Sequence, residues 1–156
     1  MLIILSLGIL LTAQLALAAL PPMDQEQREI MSQVVFDGTV GRVKSEIQTA
    51  PDGPLVHTDR VFTTDIKVSK VDKGDIAVGD TVKIRYWKPA KRQRGWVGSQ
   101  GQNMLPKPGD QGRFYTISMD SEEGVLGLLE PTGWDRTHEG PAENYIEELE
   151  WLDEDL

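Results

Sequence analysis

The segment Arg85–Trp96, RYWKPAKRQRGW, gathers five basic residues and two tryptophans into twelve positions. Ammonium and guanidinium groups attract polyanions, and indole faces stack on bases or sugar rings. Trp87, Lys88, Lys91, Arg92, Arg94 and Trp96 are therefore the candidate binding residues. The rest of the chain makes this concentration stand out, because the formal net charge is −9. From Thr81 to Gly109 there is no acid, against seven of the sixteen Lys and Arg residues. From Thr137 to Leu156 there are eight acids and no Lys or Arg. A surface for an anionic polysaccharide, a cell-envelope polyanion or a lipid head group is one reading. Protection of an exposed strand edge by outward cations is another. The third is charge pairing, with a protein partner or with the acidic tail docked over the loop in cis. Overall acidity argues against nucleic acid as the partner.

Catalytic chemistry finds little support. Without cysteine there is no thiol nucleophile, no cysteine–zinc site and no disulfide framework. Ser99 directly follows Gly98, so the G-x-S-x-G elbow is absent. No P-loop, dinucleotide fingerprint or D-x-D-x-D-G calcium loop occurs. His57 and His138 fall in predicted loops and read as solvated surface residues. No catalytic residue, metal or cofactor is expected, and the chain reads as a non-catalytic binding or accessory module. The alternatives are a protein-interaction or protease-inhibitor-like module, and an enzyme of unrecognised type.

These residues need a scaffold, and hydrophobic patterning supplies an outline. The first twenty residues, MLIILSLGILLTAQLALAAL, are uncharged and contain an apolar run followed by the small residues Ala16 and Ala18. That pattern predicts a signal peptide over 1–18 and an exported protein, secreted or periplasmic, with no membrane span after cleavage. An uncleaved anchor is the alternative. In PPMDQEQREIMSQ, Asp24 and Gln27 form a capping-box spacing, predicting a short helix with Met23, Ile30 and Met31 buried. Period-two alternation then predicts strands in QVVFDGTVGRVKSEI, RVFTTDIKVSKV, TVKIRYW and GRFYTISMD, and a fifth in GVLGLLEPTGW. Gly38 and Gly41 suggest a bulge in the first. Phe62, Thr64, Ile66, Val68, Val82, Ile84 and Tyr86 should face inward, with Lys83, Arg85 and Trp87 outward. Lys88 to Gln111 reads as a long loop. Five strands with one long connection predict a mainly β fold, a small five-stranded Greek-key barrel over 19–139, with a β-sandwich as the other possibility. An acidic amphipathic helix is expected over 140–156, with Pro141 in its first turn.

VVFDGTVGRV, then KVDKGDIAVGDTVKIRYW, then KPGDQGRFYTI together resemble the netrin-like modules that include tissue inhibitors of metalloproteinases. The resemblance spans about Val34 to Leu129 and implies an OB-type barrel. Family members usually carry bridging cysteines, and the inhibitors use an amino-terminal cysteine to chelate the target's zinc. This chain has neither, so the resemblance implies the fold without the inhibitory chemistry.

Overall fold

The computed structural model describes residues 22–50, 56–96, 98–119 and 123–140. The expected signal peptide and acidic terminal helix lie outside the described residues, apart from Gly140. Helix α1, Gln25–Met31, starts as the sequence predicts. The Asp24 carboxylate accepts from the Gln27 N–H at 2.8 Å, and the Gln27 side chain accepts from the Asp24 N–H at 3.1 Å. Its buried face differs from expectation. Ile30 and Met31 are exposed, at 70% and 58%, and Arg28 is buried instead. Seven residues offer one inward face. Arg28 takes it because the Tyr115 ring and Asp135 meet its guanidinium there.

Six strands follow: β1 (Val34–Thr49), β2 (Thr58–Lys73), β3 (Thr81–Lys91), β4 (Gln111–Ser118), β5 (Val125–Leu128) and β6 (Trp134–His138). They form one sheet in the order β1-β2-β3-β5-β4-β6, and β1 also pairs with β4. All pairings are antiparallel except β3 with β5. Strand β1 has two parts. Val34–Thr39 has β4 along one edge, while Val43–Thr49 continues beside β2 alone. Between them the register with β2 shifts across Val40 to Val43, at the predicted bulge.

Two expectations about the strands need correction. The long loop is shorter, since β3 continues through Lys91 and places Lys88 and Lys91 on a strand. GVLGLLEPTGW is not a single strand either. It turns at Glu130–Thr132, and a sixth strand, WDRTH, pairs with β4 from Gln111↔His138 to Phe114↔Trp134.

Alternation places the core as expected. Thr64, Ile66, Val68, Ile84 and Tyr86 are buried, and Phe62 and Val82 pack against them half-buried. Phe36, Phe114 and Trp134 stack in series, with centroids 5.4 Å and 5.7 Å apart. Full burial of side chains of this size stabilises by about 1.5–3 kcal/mol each. The resulting core holds the outer faces of β1, β2 and β3 in register.

Candidate functional site

The basic segment divides into pinned and unpinned members. Arg92 is pinned. Its guanidinium pairs with Asp59, which is nearly inaccessible, and donates to the Thr58 carbonyl at 2.7 Å. The same guanidinium lies 5.7 Å from the centre of the Trp87 ring. Trp87 donates its indole N–H to Glu130, whose other oxygen accepts from the Ser99 hydroxyl at 2.9 Å. Trp96 meets the His57 ring edge-on, with centroids 4.6 Å apart. Arg92 and both indoles therefore organise the segment. Lys88, Lys91 and Arg94 remain exposed, and none forms an ion pair among the described residues.

His57 corrects a further expectation, because it is fully buried. Its Nε2 accepts from the Gln93 N–H at 3.1 Å, and Trp96 covers the ring. His138 is exposed, as expected. Gly101 completes the anchoring at φ +64°. A Cβ there would sit 2.2 Å from the Trp87 carbonyl, next to the bond by which Gln102 N–H reaches that oxygen. The loop after Arg92 is thus tied to the end of β3 by backbone as well as side chains.

A second feature lies on the same strands. Arg42, Lys44, Thr63, Thr64, Asp65 and Lys83 line a cleft of about 410 Å³. Three cations against one carboxylate give this lining a net charge of +2 on a chain of −9. Lys44 faces Thr63, and Asp65 faces Lys83, across adjacent strands. Neither Asp65 nor the three cations form an ion pair among the described residues. The bulge shapes the cleft. A Cβ on Gly41 would sit 2.8 Å from the Asp65 carbonyl, so only glycine lets β1 pass this closely. The Thr64 hydroxyl donates to the Arg42 carbonyl at 3.0 Å, tying the bulged backbone to β2. Sequence alternation placed Lys83 on the outer face but gave no sign of this concavity, which depends on the backbone offset at Gly41–Arg42.

Two arginines packed against Tyr115 are neutralised locally. Arg28 bonds Asp135 at 2.8 Å and lies 4.3 Å from the centre of the Tyr115 ring. Burial works against its charge, yet the hydrogen bond and charge of Asp135 outweigh burial and hold its pKa above the ordinary value. Arg113 pairs with Asp72, with Glu29 at 3.2 Å and with Asp37 at 3.5 Å. Its pKa is raised: burial opposes the charge, and the Asp72 bond leads the contributions that prevail. The Asp72 carboxyl is held below its usual range by hydrogen bonds from Lys70 and then Arg113. The Glu29 carboxyl is lowered mainly by the Gln25 amide, with Arg113 adding to it. Burial raises the Tyr115 phenol.

Among the described residues, no three His, Asp or Glu side chains converge as metal ligands, and no helix is long and apolar enough to cross a membrane. Compared with known proteins, the chain matches no family model and no curated relative.

Proposed function

We propose that this protein is an exported, non-catalytic binding module that recognises an anionic polymer or glycan through Lys88, Lys91 and Arg94. The observation that carries this reading is the division within the basic segment. Arg92, Trp87 and Trp96 are used up in holding it, while three neighbouring cations stay exposed and form no ion pair among the described residues. Holding the backbone that carries these cations before a ligand arrives lowers the ordering cost of binding. The six-residue site expected from the sequence becomes three contact residues and three positioning residues.

The scaffold in this proposal is a closed five-stranded barrel of OB type. Its support is the pairing of β1 with both β2 and β4, which returns the run β1-β2-β3-β5-β4 to its start. The resemblance to netrin-like modules is kept for this barrel alone. Export rests on the uncharged apolar run and Ala16-x-Ala18, with a mature chain starting at Ala19.

Chromatography on a heparin-like resin tests the binding reading. Retention should fall steeply with salt, as expected when cations displace counterions from a polyanion. It should disappear in the triple variant Lys88→Ala, Lys91→Ala, Arg94→Ala, which leaves the Arg92–Asp59 pair intact. Retention that ignores salt, or survives the triple substitution, refutes the assignment.

A further inference from the structure

The structure assigns a second, separate site to the cleft between β1, β2 and β3, and we propose that it takes a single sugar unit carrying a phosphate or carboxylate group. Its volume, about 410 Å³, lies within the roughly 300–1,000 Å³ typical of small-molecule sites. Arg42, Lys44 and Lys83 supply positive charge to an anionic group. Asp65 gives the site its character. A cleft built only to attract anions gains nothing from a carboxylate in its lining, since that charge repels the ligand. Asp65 is also spared the usual structural use of such a group, because none of the three surrounding cations is bonded to it. An unpaired carboxylate is an acceptor for hydroxyl donors, and such bonds are among the stronger ones. The Thr63 hydroxyl, beside Asp65, adds a donor and an acceptor. Cations for the anionic group, with an acceptor for hydroxyls set among them, match an anionic sugar. They fit a bare anion or a neutral sugar less well.

The cleft is also built rather than incidental. The bulge at Gly41–Arg42 brings the β1 backbone against the Asp65 carbonyl, and the Thr64 hydroxyl ties the strands together at that point. The site is independent of the polymer-binding segment, although the two share a strand. Lys83 and Trp87 are four residues apart on the outer face of β3, roughly 13 Å.

The test is an NMR titration of the full chain with galacturonate, glucose 6-phosphate, inorganic phosphate and glucose. Galacturonate, glucose 6-phosphate or both should shift the amides of Arg42, Lys44, Thr63, Asp65 and Lys83, and which one does so identifies the anionic group. Glucose should leave them in place. The double variant Lys44→Ala, Lys83→Ala changes exposed residues only, and should keep its melting temperature while binding the responsive sugar at least tenfold more weakly. Asp65→Asn gives the deciding sign. It should weaken the sugar anion by about tenfold, through loss of a charged acceptor, while strengthening inorganic phosphate, because a repelling charge is gone. Tighter binding of every anion in Asp65→Asn overturns the proposal, as does the absence of cleft shifts with both sugar anions. The triple substitution at Lys88, Lys91 and Arg94 should leave these titrations unchanged. Loss of resin retention with an intact cleft titration, or the reverse, therefore separates the fates of the two sites.

Discussion

Two regions of this molecule treat positive charge in opposite ways. Around Tyr115, Arg28 and Arg113 are each held by carboxylates, and the aromatic ring lies close to both guanidinium groups. On the outer side of β1, β2 and β3, and at the end of β3, Arg42, Lys44, Lys83, Lys88, Lys91 and Arg94 have no ionic partner among the described residues. The first arrangement fastens α1 to the sheet, helped by Lys73, which donates to the Glu29 carbonyl at 2.8 Å. The second leaves these cations without a carboxylate among the described residues. Among these residues, ionic partnering separates the arginines packed on Tyr115 from the cations of the two proposed sites, where sequence position alone does not.

The sharpest way to break this contrast is Arg92→Ala, because Arg92 lies in the basic segment yet is paired like a structural residue. Removing it strands the buried Asp59 charge, and breaking such a pair costs about 3–5 kcal/mol. Chemical denaturation should show that loss. Arg28→Ala should cost less, about 1–3 kcal/mol, because Asp135 is half exposed and recovers some hydration. Gly41→Ala forces a Cβ onto the Asp65 carbonyl, and overpacking of this kind costs about 1–3 kcal/mol. It should also disturb the cleft amides in NMR spectra.

Acid sharpens the comparison from the other side. Asp72 and Glu29 have folded pKa values below their ordinary values of 3.8 and 4.5. Groups depressed in this way contribute stability that is present above the ordinary values and lost as pH falls through the folded ones. The attachment of α1 should therefore weaken below about pH 4, and Asp72→Asn should flatten that part of a plot of melting temperature against pH. The smallest effects belong to Lys44→Ala and Lys83→Ala, each within about 0.5 kcal/mol of the unaltered protein. A large destabilisation there would place them with the structural cations.

What the sequence made legible follows from how local each signal is. Asp24 and Gln27 specify the start of α1 because both bonds of the capping box span three residues. Alternation through Thr64, Ile66, Val68, Ile84 and Tyr86 specifies the buried face, since period two is a property of the strand itself. Long-range contacts were hidden. Arg92 meets Asp59 across 33 positions and Gln93 meets His57 across 36, so neither the pinned arginine nor the buried histidine had a local mark. Strand β6 was missed because Trp-Asp-Arg-Thr-His lacks alternation and extends only by pairing with β4. Of the cleft, the outward parity of Lys83 and a bulge near Gly41 could be read in advance, but not the concavity that the two produce together.

The unequal company kept by β1 along its length has a consequence for timing. Amide hydrogens from Val35 to Thr39 are enclosed by neighbouring strands on both sides, and should exchange with deuterated solvent only when the whole domain opens. Those from Ser45 to Thr49 have one neighbour and can exchange by local fraying. A single continuous strand would then carry a gradient from slow to fast, with its quick end beside the proposed binding surface.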